Sequence, residues 1–248
     1  MTASLLWQRP PRQDAVPGFD AAVELLYASL QAIGAGFRRP ALASSLSAED
    51  AVLTHAIEAS GSPIEVFAID TGWLPPETLT LLAQTLRRRR VHVLTPDATA
   101  VDAFVARHGA DAFYDSAALR QRCCELRKVE PLARALAGRE AWLTGQRRAH
   151  GPERAQLPER EFDAARGIAK FNPLATWSDE LLWHYVDRHQ VPVNALYARG
   201  YASIGCAPCT RAIRAGEEPR AGRWWWEQGE AKKECGLHAA PLATEDSR

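Results

Sequence analysis

A chain of 248 residues with 46% hydrophobic content is long enough to bury a large core as one α/β domain with a small appendage. Thirty basic side chains balance thirty acidic ones, so the overall charge points to neither nucleic acid nor a membrane surface, and any anion binding is local. No apolar run approaches the roughly 20 residues of a membrane-spanning helix. The opening stretch, broken by Pro10, Pro11 and Pro17, lacks the apolar core of a secretory signal. A cytoplasmic address is the expectation. There thiols stay reduced, so paired cysteines are more often metal ligands or redox groups than structural disulfides.

In chain order, the spacing of Val23, Leu26, Leu30 and Ile33 predicts a helix from Phe19 that ends at Gly34 and Gly36. Residues 1–40 form an N-terminal helical segment on this reading. A strand follows at Ala41 to Ser44, then a polar loop. Ser47 with Asp50 three positions later resembles a capping box that opens a helix to Ala59. Glu65 to Ile69 is a compact apolar run suited to a buried parallel strand, and it stops at Asp70-Thr71-Gly72. Helix Pro76 to Arg88, strand Val91 to Leu94 and helix Ala98 to His108 continue the alternation. Such alternation predicts an α/β fold, a parallel twisted sheet with helices on both faces.

Beyond it, a helical stretch from Ala117 to Leu136 carries Cys123-Cys124, with Pro131 as a kink or break. A strand fits Ala141 to Thr144, and an irregular segment from Gly145 to Pro158 reads as a mobile basic lid with Arg147, Arg148 and Arg154. Ile168 to Phe171 is a further strand, and Ser178 opens a helix to His189. The core runs over 41–210, a cysteine-bearing segment over 211–238, and 239–248 is expected to be a disordered tail.

Five cysteines carry most of the chemistry. Cys123, Cys124, Cys206 and Cys209 can close around a metal centre, and Cys235 is left over. Adjacent cysteines on a helix point about 100° apart, an awkward arrangement for one tetrahedral ion. An iron–sulfur cluster therefore ranks above zinc, with unligated or redox thiols still open. Cys235 sits in Lys232-Lys233-Glu234-Cys235-Gly236-Leu237-His238, where neighbouring cations favour a thiolate and hence a nucleophile. His238 is the one histidine given a role, as an acid, base or charge partner.

The Ser44 to Asp50 loop, at a strand end and a helix N-terminus, is a ready anion site, and in isolation also an ordinary capped helix. Position favours a ligand, because ligands of open parallel sheets bind beyond the carboxyl ends of the strands. Lys128 adds a cation near cluster and anion. Arg147, Arg148 and Arg154 could hold a phosphate or sulfate bidentately. Arg87 to Arg90 reads as a solvated helix end, and Trp224-Trp225-Trp226 as packing.

Taken in order, Ser44-Ser45-Leu46-Ser47-Ala48-Glu49-Asp50, Asp70-Thr71-Gly72, Cys123-Cys124-x-x-Arg127-Lys128-x-Glu130-Pro131-Leu132, Trp142-Leu143-Thr144-Gly145-x-Arg147-Arg148, Asn172-Pro173-Leu174, Gly205-Cys206-x-x-Cys209-Thr210 and Lys233-Glu234-Cys235-Gly236-Leu237-His238 resemble the assimilatory adenylyl-sulfate reductases. These are the iron–sulfur branch of the phosphoadenylyl-sulfate reductase family.

The resemblance implies an adenine nucleotide alpha hydrolase-like fold with a modified pyrophosphate loop. It implies a [4Fe–4S] cluster on Cys123, Cys124, Cys206 and Cys209, with Cys235 as nucleophile. Substrate contacts would come from Ser44, Ser45, Ser47, Asp50, Thr71, Gly72, Lys128, Gly145, Arg147, Arg148, Arg154 and His238. Ser47 departs from the glycine of many relatives and would narrow the phosphate site.

The reaction implied is reduction of adenylyl sulfate to sulfite and AMP through an S-sulfocysteine, in sulfate assimilation and cysteine biosynthesis. Thioredoxin, or glutaredoxin, would be the reductant. The alternatives are reduction of 3′-phosphoadenylyl sulfate or of both substrates, a nucleotide-binding module without turnover, and an ATP pyrophosphatase of the related loop family. Relatives restricted to the 3′-phosphorylated substrate generally lack the four cluster cysteines. A homo-oligomer stays open.

Overall fold

The computed structural model describes residues 5–227. Six strands form one sheet: β1 (Ala41–Ser44), β2 (Glu65–Ile69), β3 (His92–Leu94), β4 (Ala141–Leu143), β5 (Arg160–Asp163) and β6 (Ile168–Phe171), in the order β3-β2-β1-β4-β6-β5. All neighbours pair in parallel except β5, which runs antiparallel to β6. The expected parallel sheet is thus a mostly parallel one with an antiparallel edge. Sequence Arg160-Glu161-Phe162-Asp163 is too polar to read as a strand. It becomes one by pairing with β6, where Lys170 Nζ meets Glu161 Oε1 at 2.9 Å.

The helices are α1 (Phe19–Gly36), α2 (Ala48–Ala59), α3 (Pro76–Arg88), α4 (Ala98–His108), α5 (Ala117–Cys124), α6 (Glu130–Leu136) and α7 (Asp179–Arg188). Side chains alternate across a strand, and here the two sets enter different cores. Leu42, Val66, Ala68, Ala141 and Leu143 join α1, α2 and α7 on one face, while Ala41, Phe67 and Trp142 pack on Leu132 and Leu136 of α6 on the other. Both faces are therefore covered. α1 ends at Gly36 as expected, and inside it a Cβ at Gly34 would lie 2.6 Å from Pro63 Cδ. That glycine serves close packing, not termination.

The stretch expected as one helix with a kink at Pro131 divides earlier. α5 ends at Cys124, and Glu125–Val129 forms a π-helical turn in which Glu130 N–H reaches Glu125 O. Pro131 then occupies the first turn of α6, where its missing N–H costs no hydrogen bond. The wide turn lodges an extra residue, and such turns often mark functional sites.

Candidate functional site

From β1 the chain winds outward through β2 and β3, and β4 is laid on the other side of β1, so the winding reverses between β1 and β4. At such a switch point the loops beyond the strand ends part and leave a crevice. Here a cleft of about 220 Å³ opens. Its floor is apolar, with Phe67, Ile69, Leu132 and Trp142, and its polar wall begins with Ser44, Ser45, Ser47 and Asp50 after β1.

In that first loop Ser47 caps α2, accepting from Asp50 N–H at 3.3 Å. The Asp50 carboxylate turns back and accepts from Ser45 N and Oγ, both at 2.6 Å. Burial pushes the Asp50 carboxyl up to about 6, against those two bonds. Leu46 carries a left-handed backbone at φ 62°, a strain that side chains rarely accept and that collects at ligand-binding turns. The Ser47 hydroxyl is engaged as the helix cap.

The facing loop follows β4. Thr144, Gly145, Gln146, His150 and Arg154 line the cleft. Gly145 lets the two loops touch, since a Cβ there would lie 2.5 Å from Asp50 Oδ1 and 2.7 Å from Glu49 Cβ. Arg147 and Arg148 do not line the cleft. Arg147 is buried and bonds Glu49 Oε1 through Nε and Nη2 at 3.0 and 2.9 Å, Asp179 Oδ1 at 2.6 Å and Trp177 O at 3.0 Å. Burial alone would raise the Glu49 carboxyl, but His150 and Arg147 outweigh it and hold it well below the usual carboxylate range. Arg148 is exposed and donates to Leu157 O.

Cys123, Cys124, Cys206 and Cys209 are free and buried. Cys123, Cys206 and Cys209 share an apolar cluster with Phe104, Phe113 and Trp224, and Cys206 also lines the cleft. The Cys206 turn is tied to the loop after β2 by Ala207 N–H to Trp73 O at 2.8 Å and by Thr71 Oγ1 at 3.3 Å from Cys206 Sγ. Thr71 lines the cleft, whereas Gly72 sits behind it with φ 74° and would meet Arg127 Nη1 at 3.2 Å if it carried a Cβ. Burial, with the neighbouring Cys206, pushes the Cys209 thiol up to about 11, and burial raises Cys123 as well. Lys128 pulls both back down, as do Arg127 at Cys123 and Arg223 at Cys209. Among the described residues, no three of His, Cys, Asp and Glu are placed to hold a single metal ion.

The π turn sets both cations. Arg127 points inward, donating to Thr71 O at 2.8 Å and stacking 3.9 Å over the Trp73 ring, while Lys128 lines the cleft. Of the expected site residues, the cleft gathers Ser44, Ser45, Ser47, Asp50, Thr71, Lys128, Gly145, Arg154 and Cys206. Cys235 and His238 lie outside the described residues.

Sequence reasoning passed over His150, Gln146, Arg220 and Arg223, all of which line the cleft. Arg223 is buried, lies 4.7 Å over the Trp224 ring and reaches Ile204 O, and a Cβ on Gly205 would collide with its guanidinium at 2.3 Å. Its Nε has no hydrogen-bond partner among the described residues. Trp224 is packed as expected, and Trp225 is exposed.

Comparison with known proteins places this geometry. At the level of solved structures, the phosphoadenylyl-sulfate reductase of Candida auris in a phosphate complex superposes with a TM-score of 0.65 at 25% identity, over 81% of this chain and 100% of that one. An FMN adenylyltransferase of Candida glabrata shares the fold alone, with a TM-score of 0.58 at 13% identity over 94% of this chain and 83% of that one. In sequence, the adenosine 5′-phosphosulfate reductase of Burkholderia cepacia is 54% identical over 91% of each chain. That of Allochromatium vinosum is 53% identical over 81% of this chain and 79% of its own. Residues 39–212 match the phosphoadenosine phosphosulfate reductase domain, and the chain belongs to that family.

Proposed function

We propose that the protein reduces adenylyl sulfate to sulfite and AMP, with electrons from a dithiol protein of the thioredoxin type. The observation that carries this reading is the sharing of one cleft by an anion loop, an apolar floor and a cysteine-bearing wall. Relatives at 54% and 53% identity bear the name adenosine 5′-phosphosulfate reductase, and this favours the substrate without a 3′-phosphate. The apolar floor of Phe67, Ile69, Leu132 and Trp142 suits an adenine, and the Ser44 to Asp50 loop suits the α-phosphate at the N-terminus of α2. Lys128, Arg154, Arg220 and Arg223 supply cations for the sulfonyl and phosphate oxygens.

The donor set fits a [4Fe–4S] cluster. Cys123, Cys124, Cys206 and Cys209 are free and buried, and Arg127 and Lys128 at Cys123, with Lys128 and Arg223 at Cys209, offset part of the burial that raises those two thiols. These four would hold it, and when bound it would shape the charge around the substrate sulfonate. In the reaction, the Cys235 thiolate attacks the sulfur of the sulfate–phosphate anhydride. The S–O bond to phosphate breaks, AMP departs with that electron pair, and Cys235 carries a sulfonate as S-sulfocysteine. A thiolate of the external dithiol then attacks Cys235 Sγ. Sulfite leaves, and the second thiol of the partner closes its own disulfide and frees Cys235. Sulfur falls from the sulfate to the sulfite level as one dithiol becomes a disulfide.

Mixing the protein with adenylyl sulfate in the absence of dithiol tests this scheme. A mass gain of one SO₃ on the peptide carrying Cys235, lost on adding reduced thioredoxin, is expected. An unmodified Cys235, or a Cys235→Ser variant that releases sulfite at the wild-type rate, would refute it. For the metal site, Cys209→Ser is expected to lose iron and acid-labile sulfide together. Stoichiometric zinc without sulfide in the wild type would overturn the cluster.

A further inference from the structure

Arg154, which the proposed function assigns to the substrate anion, hangs on a histidine. Its Nη1 lies 3.1 Å from His150 Nδ1, and both side chains line the cleft. The same Nδ1 also receives the backbone N–H of Arg147 at 3.3 Å. A guanidinium and an amide N–H can only donate, so Nδ1 must be the accepting nitrogen and the ring proton sits on Nε2. Nε2 lies 3.0 Å from Glu49 Oε1, an acceptor, which completes the assignment. Glu49 in turn is fixed by two bonds from the buried Arg147, whose remaining donors hold Asp179 and Trp177 O. The groups facing the imidazole are therefore Glu49 from α2, Arg147 from its own loop, and Arg154 from the next short turn.

We propose that His150 is a positioning residue: its imidazole, facing Glu49 through Nε2 and Arg154 through Nδ1, relays the buried Glu49–Arg147 pair to Arg154 and aims that guanidinium into the cleft. The contact with His150 restricts the rotamers open to Arg154, and a guanidinium so restricted loses less freedom on binding an anion. The relay pre-orders it, so the gain falls on substrate binding. Glu49 sits in the first turn of α2, directly after the β1 loop, so the relay also couples Arg154 to the loop across the cleft.

The inference rests on the proposed reductase reading, and the test separates the two. Steady-state kcat and KM for adenylyl sulfate are measured with His150→Leu, Arg154→Ala and the double variant, alongside AMP affinity by calorimetry and melting temperature. His150→Leu is expected to raise KM about tenfold with kcat within about twofold, and the double variant is expected to match Arg154→Ala alone, since removal of the relayed group leaves the relay nothing to do. His150→Gln, whose amide donates to Glu49 and accepts from Arg154, is expected to recover to within about threefold of wild type. A double variant in which both defects multiply, or a His150→Gln variant as impaired as His150→Leu, overturns the relay. Should His150→Leu not fold, the same cycle with His150→Ser decides. Wild-type protein that forms no sulfite would instead refute the reductase reading itself.

Discussion

Two adjacent carboxyls at the start of α2 are shifted in opposite directions. Asp50 is buried with Ser45 as its donor, and its carboxyl rises to about 6, whereas Glu49 faces His150 and Arg147 and falls well below the usual carboxylate range. Because folding raises the Asp50 value, ionising that group costs stability, and the cost accumulates as pH climbs from about 4 to about 6. Asp50→Asn keeps an acceptor for Ser45 and removes the charge. Its melting temperature relative to wild type is expected to be more favourable near pH 7 than near pH 4, and an equal difference at both would contradict the assignment. Glu49 has the reverse sign: its stabilisation is present above the unfolded value and fades as pH falls toward the lowered one. Glu49→Gln leaves Arg147 only half compensated in a buried site. A loss of about 3 kcal/mol in urea unfolding at neutral pH is expected, and Arg147→Met in the same chain should restore part of it. A Glu49→Gln variant as stable as wild type would show that the pair does not hold the loops.

At the scale of elements, local pattern made some features legible and hid others. The helix starts at Ser47 and Ser178 declared themselves, because capping chemistry is written within a few residues. Arg147 looked like a loop arginine reaching for an anion. Its true partners, Glu49 and Asp179, are separated from it by 98 and 32 positions, and no local rule connects them. His150 was hidden for the same reason. The π turn at Glu125–Val129 has no periodic signature beyond Pro131, yet it divides Arg127 from Lys128, one inward and one to the cleft. Arg220 and Arg223 come from an irregular stretch without helical or strand period, so nothing in the sequence singled them out. The approach of the two cleft loops depends on Gly145, where a Cβ would strike Asp50 Oδ1 at 2.5 Å. Gly145→Ala should push the loops apart and lower kcat/KM about a hundredfold, with an unchanged circular dichroism spectrum. Undiminished kcat/KM would mean that the contact does not set the cleft.

For the whole molecule, the order β3-β2-β1-β4-β6-β5 is the controlling fact. It puts the reversal of winding between β1 and β4 and so brings the loops of two distant segments to one crevice, with the cysteine-bearing turn at Cys206 closing its side. The alternation of strands and helices announced a sheet of this kind, while the antiparallel edge β5 had no apolar pattern to reveal it. No helix among the described residues is long and apolar enough to cross a membrane. The architecture supports a nucleotide held by its phosphate at α2, with its far end against cations and thiols. The most direct test is anaerobic sulfite formation with reduced thioredoxin from adenylyl sulfate and from its 3′-phosphorylated form, at matched concentrations below saturation. The account predicts sulfite chiefly from adenylyl sulfate, by a factor of about a hundred or more in kcat/KM. Equal rates from the two substrates, or no sulfite from either, would contradict it.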